Sequence, residues 1–268
     1  EAKTGDGGGA LWIDSQAITN IDHCTFIGNR VISPLSSTTR ATEEYGKGHA
    51  IYAASRSYVN VQYCDFLNNS NYGLESIIHV SGQEFNFTNC NIIFSTEGQA
   101  CRGIYIDYPG IINIKSSLFR NCGHGVKRVP EGGAIYYNPS DDFDLEEQIT
   151  IFDCTFDNCC ADNGCAILLH SSVPPSIGGN HLVNQNKGQF VISVFFTTFQ
   201  DYILMENMRF EGGVAATVSN NLPADGGGSS IWIANKKEIS NGRPAELVFR
   251  NCEWINNYSP TKGGAFHY

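Results

Sequence analysis

The residues with acid–base or metal-binding chemistry are spread along the chain rather than grouped. One adjacent pair, Asp22 and His23, places a carboxylate beside an imidazole, two groups that often transfer protons in enzymes. An acidic run between positions 141 and 147 offers carboxylate oxygens of the kind that bind calcium, and such a run is also typical of a solvated loop. Its members are Asp141, Asp142, Asp144, Glu146 and Glu147.

The histidines do not have the spacing of a metal site. We expect each of them to lie at the surface or in a turn. They are His23, His49, His79, His124, His170, His181 and His267. The sequence therefore predicts no metal site, no cofactor and no catalytic residue.

Glycoside chemistry is the alternative, and it needs two carboxylates that face each other across a groove. The positions just before a recurring bulky residue are expected to point outward, and they contain no acidic cluster. They are Thr25, Asp65, Asn91, Leu118, Thr155, Arg209 and Glu253. Four tyrosines expected on the surface offer rings for sugars to stack on, namely Tyr45, Tyr52, Tyr58 and Tyr72. Glycan binding without turnover thus remains open beside a structural role.

A sequence repeat that occurs eight times must position these side chains. Each copy has two apolar residues two positions apart, a small residue three positions later, and a bulky apolar residue two positions after that, as in Val59, Val61, Cys64 and Phe66. The bulky residues are Phe26, Phe66, Ile92, Phe119, Phe156, Leu182, Phe210 and Trp254. Repeats of this length are typical of solenoids.

A second landmark, a Gly-Gly-Ala-Ile-like box, precedes each copy. We place its apolar residue at Leu11, Ile51, Ile77, Ile104, Ile135, Ile167, Val191, Ile231 and Phe266. In five copies the box lies fifteen positions before the bulky residue, as from Leu11 to Phe26. The return to the next box varies in length, so we expect the insertions to be loops on a constant frame.

The apolar pair of each copy alternates with polar residues, which is strand patterning. Between the pair and the small residue the period slips by one, which predicts a bend between two short strands. Glycines are expected to supply the corners where positive φ is needed. The sequence therefore predicts an all-β fold, a single-stranded parallel β-helix of about eight coils. We assign residues 1–268 to one domain, and expect it to be a segment of a longer repeat protein.

Ten cysteines are present, and half of them occupy the small position of the repeat. These five, which are expected to be small buried side chains facing inward, are Cys24, Cys64, Cys90, Cys154 and Cys252. Cys122 and Cys159 both lie three residues after a bulky residue, so they would be neighbours in adjacent coils. Such neighbours come close to the Cα separation that a disulfide needs. Cys160 and Cys165 flank a short turn and Cys101 lies in a box, so at least one disulfide among these five cysteines remains open.

Three sequons begin at Asn68, Asn86 and Asn257, and they are compatible with a glycosylated extracellular protein. The net charge of −10 and a pI near 5.1 argue against a nucleic-acid partner, which requires clustered Lys and Arg. No apolar stretch has the roughly 20 residues of a membrane span. Both ends of the sequence lie inside boxes, so we expect further coils or other protein subunits as partners there.

Two resemblances add to this interpretation. The stretch Ile21-Asp22-His23-Cys24 resembles one in pectate lyases, where carboxylates hold calcium and an arginine acts as base. The boxes, as in Gly132-Gly133-Ala134-Ile135, and stretches such as Phe66-Leu67-Asn68-Asn69 resemble the repeats of the polymorphic outer-membrane proteins. That second resemblance implies a right-handed β-helix of the pectin-lyase-like superfamily that acts as a non-catalytic extracellular rod in adhesion or surface structures. A polysaccharide lyase or hydrolase is the alternative.

Overall fold

The structure is a computed structural model that describes most of the repeat frame. The described residues are 8–31, 47–69, 76–95, 101–123, 129–139, 147–171, 173, 175–183, 186–188, 192–196, 202–215, 231–235 and 246–258. Predictions that concern Tyr45, Tyr72, His124, His267 and the acidic positions 141–146 lie outside these residues. Within the described segments no helix has the length and apolar character needed to cross a lipid bilayer.

The described chain forms eight coils, each built from three short strands. In chain order the strands are β1 (Leu11–Ile13), β2 (Ile18–Asp22), β3 (Thr25–Ile27); β4 (Ile51–Ala53), β5 (Tyr58–Gln62), β6 (Asp65–Leu67); β7 (Ser76–Val80), β8 (Glu84–Thr88), β9 (Asn91–Ile93); β10 (Arg102–Ile106), β11 (Ile111–Lys115), β12 (Leu118–Arg120), β13 (Val129–Glu131); β14 (Ile135–Tyr137), β15 (Gln148–Phe152), β16 (Thr155–Asp157), β17 (Ala161–Asn163); β18 (Ile167–Ser171), β19 (Ser176–Gly178), β20 (His181–Val183), β21 (Asn186–Gly188); β22 (Ile192–Phe196), β23 (Tyr202–Glu206), β24 (Arg209–Glu211), β25 (Val214–Ala215); and β26 (Ile231–Asn235), β27 (Glu246–Arg250), β28 (Glu253–Ile255).

Equivalent strands of successive coils pair in parallel and form three eight-stranded sheets. Sheet A contains β1, β4, β7, β10, β14, β18, β22 and β26; sheet B contains β2, β5, β8, β11, β15, β19, β23 and β27; sheet C contains β3, β6, β9, β12, β16, β20, β24 and β28. Two further pairs, β13 with β17 and β21 with β25, extend the frame locally. The prediction of an all-β parallel β-helix with eight coils is confirmed.

The bulky residues of the repeat form one internal column, as predicted. Their register in sheet C runs Phe26, Phe66, Ile92, Phe119, Phe156, Leu182, Phe210 and Trp254. Ring centroids are 4.7 Å apart for Phe26 and Phe66 and 5.1 Å apart for Phe119 and Phe156. Because the sheet spacing brings like rings within stacking distance, each coil fixes the side-chain position of the next.

The box column is displaced by one residue in two coils. Ile51 pairs with Ile78, not with Ile77, and Ile167 pairs with Ile192, not with Val191. Ile77 occupies the alanine position of the box, yet it is fully buried, because the interior accommodates isoleucine there as well. The sequence could not separate two adjacent isoleucines that both point into the core. Phe266 lies outside the described residues.

The bend predicted from the slip in period lies between sheets B and C. The residue at the bend has positive φ in every coil, and only one of these residues is a glycine, so the prediction that glycines supply this corner is wrong. The non-glycine residues are His23, Tyr63, Asn89, Ser116, Asp153, Asn207 and Asn251. The left-handed conformation is stabilised by the next coil, as where the Tyr63 N–H donates to the Thr88 carbonyl at 3.2 Å.

The box glycines have two separate roles. Gly48 has φ of 66°, and a Cβ there would lie 2.1 Å from the carbonyl oxygen of Ile51. Gly133 instead lies under the next coil, where a Cβ would lie 2.2 Å from the carbonyl oxygen of Cys165. The first glycine of a box therefore makes the turn, and the second lets two coils approach closely.

The cysteine column forms hydrogen bonds at the corner, which buried apolar residues would not do. The Cys64 N–H donates to Sγ of Cys90 at 3.3 Å, and the Cys64 thiol donates to the Gln62 carbonyl at 3.0 Å. Burial raises the pKa of Cys90 and of Cys154 to about 12, so these thiols stay protonated and can donate. The prediction of buried, inward-facing side chains holds for Cys64, Cys90 and Cys154, whereas Cys252 is half-buried and Cys24 is exposed.

All ten cysteines are free thiols in the structure. The disulfide considered for Cys122 and Cys159 is not formed, although both side chains are fully buried. Burial, together with the hydrogen bond that the Cys122 thiol makes to Cys159, raises the pKa of Cys122.

Candidate ligand-binding groove on sheet B

The Asp22–His23 pair lies at an exposed corner. Its carboxylate and imidazole are 2.9 Å apart, and the His23 ring stacks on Tyr63 at a centroid distance of 4.9 Å. No group of three or more His, Cys, Asp or Glu side chains suited to a metal ion occurs among the described residues. The position that resembles pectate lyases is therefore an ordinary repeat corner in its geometry.

The outward residues of sheet C form ion pairs. Arg209 contacts Glu253 at 3.0 Å and Glu211 at 3.0 Å, and Arg120 contacts Asp157 at 2.8 Å. The Arg209–Glu253 and Arg120–Asp157 pairs join neighbouring coils, and the Arg209–Glu211 pair lies within β24. All three stabilise this face only modestly, because the charged groups are accessible to solvent.

Two histidines are buried, and one of them, His79 within β7, contradicts the prediction that each histidine lies at the surface or in a turn. His79 Nε2 lies 2.8 Å from Asp107, which also accepts a hydrogen bond from Ser81 and has Lys47 at 3.7 Å. Burial alone would raise the pKa of Asp107, but these partners lower it below its ordinary value. In the other case, Val31 N–H donates to Nδ1 of His49 at 3.3 Å, and burial lowers the pKa of His49 to about 4. Both histidines link successive coils.

The outer face of sheet A carries a column of rings that stack on one another. Trp12 and Tyr52 are 4.4 Å apart, and Tyr52 is 5.2 Å from His79. Tyr105 and Tyr136 are 5.0 Å apart, and the Arg102 guanidinium lies 5.2 Å from the Tyr136 ring. Sugars stack on ring faces, and the faces of Tyr52 are occupied by Trp12 and His79. This column therefore stabilises the frame rather than offering a platform for sugars.

The outer face of sheet B instead forms an open groove of about 590 Å³. It crosses the first four coils and is lined mainly by amide and hydroxyl side chains. The lining residues are Ile18, Thr19, Asn20, Tyr58, Val59, Asn60, Gln62, Glu84, Asn86, Thr88, Asn113 and Lys115. An elongated polar groove of this kind suits a chain-like ligand rich in hydroxyl groups.

A ladder of asparagines forms the floor of the groove. Asn20, Asn60, Asn86 and Asn113 occupy the same register position in four successive strands. Asn60 Nδ2 donates to Asn20 Oδ1 at 3.3 Å, and Asn113 Nδ2 donates to Asn86 Oδ1 at 3.0 Å. These bonds hold the amides in fixed orientations across the coils.

The two walls of the groove differ in chemistry. On one side Ile18 and Tyr58 are exposed by 79% and 38%, and the Tyr58 hydroxyl donates to Gln83 at 3.0 Å. On the other side Gln62 donates to Asn60 at 3.0 Å, in a row that ends at Lys115. Glu84 accepts a hydrogen bond from Asn86 at 2.9 Å and is the only carboxylate among the lining residues.

A family model described as "Right handed beta helix region" matches residues 2–186. The chain belongs to the right-handed β-helix family. This membership gives the coil its hand and confirms the predicted superfamily. Comparison with curated proteins found no match, and neither did comparison with solved structures.

The three sequons occupy different places in this right-handed β-helix. Asn68 is exposed at a corner. Asn86 is half-buried in the floor of the groove, with both side-chain polar atoms bonded. Asn257 accepts from the Gly213 N–H and donates to the Phe210 carbonyl, both at 3.0 Å. A glycan is most easily accommodated at Asn68, while one on Asn86 would occupy the groove.

Glu147 is the only described member of the acidic run, and it is not solvated. It is buried and accepts a hydrogen bond from Ser171 at 2.8 Å. Its negative charge adds to burial in raising the pKa of Tyr137. In this position Glu147 links two coils of the right-handed β-helix.

The sequence analysis missed the asparagine ladder although its signal was present. Each of these asparagines lies between the two apolar residues of a repeat, as Asn60 does between Val59 and Val61. The outward positions compared in the sequence, from Thr25 to Glu253, belong to sheet C. The same comparison applied to sheet B would have found the groove.

Proposed function

We propose that this chain is a non-catalytic β-helical rod that acts outside the cell as an adhesive module of a surface appendage, filament or matrix. The observation that carries the proposal is the polar groove on sheet B, an ordered ligand surface on a rigid frame. Three continuous parallel sheets hold this surface, so binding would not require the rod to reorganise.

The chemistry of the groove supports binding without turnover. Hydrolysis of a glycosidic bond by the usual route needs two carboxylates on opposite sides of the bond. Glu84 accepts a hydrogen bond from Asn86, and no second carboxylate lies among the residues that line the groove. A polysaccharide lyase or hydrolase remains the alternative, favoured by the Ile21-Asp22-His23-Cys24 stretch.

The resemblance to the polymorphic outer-membrane proteins supports the extracellular setting. Their boxes and Phe-x-x-Asn repeats have counterparts here in two structural devices, the glycine approach at Gly133 and the asparagine corner at Asn69. The Asn69 side chain accepts from the Asn29 N–H at 2.9 Å and donates to the Phe26 carbonyl at 2.8 Å. In this setting the partners would be glycans, together with further coils or subunits that extend the rod.

The test is to incubate the protein with a panel of cell-wall and matrix polysaccharides, and to measure retention and product release in the same samples. Retention on at least one polysaccharide, without new reducing ends or unsaturated products, is the expected result. Release of such products would overturn the non-catalytic proposal. Lack of retention on every polysaccharide and every cell surface tried would overturn the adhesive one.

A further inference from the structure

We infer that the groove on sheet B binds an extended, uncharged polysaccharide with the equatorial linkage of cellulose and chitin, lying along the helix axis with one sugar per coil. The inference rests on the adhesive function proposed above and names its ligand class. Four features of the groove carry it: its spacing, its hydrogen-bonding groups, its ring and its charge.

The spacing of the ladder matches such a chain. Neighbouring strands of a sheet are about 4.8 Å apart, so four asparagines in register repeat the same amide at that interval. A sugar residue in an extended equatorially linked chain advances by nearly the same distance. A ligand running from Asn20 to Asn113 would therefore meet an equivalent amide at each sugar, whereas a helically curved glycan would lose register.

The amides keep hydrogen-bonding capacity for hydroxyl groups. A side-chain amide has two N–H donors and an oxygen with two acceptor sites. Bonds within the groove use one donor each of Asn60, Asn86 and Asn113, and Gln62 donates to the Asn60 oxygen. The remaining donors and acceptors suit the hydroxyls of a sugar, which both donate and accept.

Tyr58 offers a ring beside the ladder. Tyr58 has no ring contact within stacking distance among the described aromatic residues, in contrast to Tyr52 on sheet A. Its hydroxyl is fixed by Gln83, so the ring is held in place. The apolar C–H face of a pyranose can stack on it, and exposed Ile18 extends the same apolar wall.

The charge of the groove favours an uncharged ligand. Glu84 and Lys115 are its charged lining residues, and exposed Asp22 lies at its edge. The whole chain carries −10. A polyuronate would bring repeated carboxylates close to Glu84 and Asp22 with one ammonium to balance them, so acidic polysaccharides are disfavoured.

The experiment is calorimetric titration of the whole protein with oligosaccharides of increasing length. Cello- and chito-oligosaccharides from dimer to hexamer are the probes, and affinity should rise up to the tetramer and then level off, because the ladder has four rungs. Maltohexaose has a curved chain and oligogalacturonate is charged. Both should bind at least about fivefold more weakly than cellohexaose, since each would lose at least one hydrogen bond.

Variants of residues in the groove test whether the oligosaccharide binds there. Tyr58→Ala and Asn113→Ala should each weaken binding of the preferred hexamer about fivefold or more. Asn91→Ala is the matched control, because Asn91 is an outward amide of sheet C that bonds Asp65 at 2.7 Å, away from the groove. Tyr58→Phe keeps the ring and should retain most of the affinity. Thermal unfolding of each variant shows whether the frame is intact.

The outcomes separate this inference from the proposed function. Binding of a straight, uncharged oligosaccharide that the groove variants weaken and the control does not supports the inference. Equal binding by Asn113→Ala, Tyr58→Ala and Asn91→Ala would overturn it. So would retention on a polysaccharide or cell surface by a protein that binds none of the straight oligosaccharides, and that result would leave the adhesive function standing.

Discussion

The side-chain amide of Asn113 donates a hydrogen bond to Oδ1 of Asn86 at 3.0 Å, across two neighbouring coils of sheet B. This bond is possible because Ile112 pairs with Phe85 and Ile114 with Phe87 on the inner face. A slip of one residue would turn every asparagine inward. The groove is thus a consequence of the register of the core residues. Substitutions that alter this register should also displace the side chains that line the groove.

The internal column should dominate stability. Phe119 is fully buried and pairs with Ile92 on one side and Phe156 on the other. Phe119→Ala should lower the free energy of unfolding by about 3–5 kcal/mol, because it leaves a cavity in the core. Urea denaturation measures this. Ile27→Ala is the control: Ile27 is 65% exposed, and its replacement should change stability by about 0.5 kcal/mol or less.

Replacement of Gly133, a box glycine at which two coils approach closely, should strongly destabilise the protein. Gly133→Ala puts a Cβ 2.2 Å from the Cys165 carbonyl oxygen, so we expect a loss of about 3 kcal/mol in the free energy of unfolding. Gly28→Ala is the comparison, because Gly28 has φ of 62° but no atom within 4 Å of the added Cβ. It should cost about 1 kcal/mol from backbone strain alone. Equal losses in the two variants would show that the stacking contact is unimportant.

Stability should fall as the pH falls from 6.5 toward 4. The pKa of His49 is lowered from 6.5 to about 4 by burial, so in this window the unfolded state binds more protons than the folded one. The loss approaches about 3 kcal/mol at the lower limit. His49→Asn keeps an acceptor for the Val31 N–H and should flatten the profile of urea unfolding against pH. An unchanged slope in this variant would assign the pH dependence to other groups.

Thiol reactivity should follow exposure. Cys24 is exposed, whereas burial raises the pKa of Cys90 and Cys154 to about 12. Brief iodoacetamide treatment of the folded protein, followed by peptide mass spectrometry, should find label first at Cys24. After unfolding without reductant all ten cysteines should react. Rapid labelling of Cys90, or fewer than ten reactive thiols, would contradict the arrangement described here.

The coil frame was predictable because the narrow interior of a β-helix accepts only a few arrangements of side chains. A bulky residue at a fixed place in each repeat, such as Phe66 or Phe156, sets the register of a whole sheet. The predicted register was wrong at Ile77 and Ile78, because both of these adjacent isoleucine side chains fit the core. The hydrophobic pattern cannot distinguish the two residues, and the pairing of the backbone strands determines which of them belongs to the box column.

The outer faces were less predictable because their roles depend on contacts between coils. Tyr52 and Tyr58 look alike in sequence, but one is stacked between neighbouring rings and the other stands beside the ladder. His79 was expected at the surface or in a turn, yet it lies in a strand, fully buried, where it contacts Asp107 of the following coil. Such contacts can be predicted only after the strand register is known, because the register determines which outward residues are neighbours.

Methyl-resolved NMR spectra of the protein, recorded during titration with cellohexaose or chitohexaose, show whether a straight glycan binds on sheet B and stays intact. For at least one of the two hexamers we expect the Ile18 methyl signals in the groove to shift, the Ile27 signals on sheet C to stay in place, and the hexamer to remain uncleaved. Shifts at Ile27 alone, no shifts with either hexamer, or the appearance of shorter oligosaccharides would contradict this expectation.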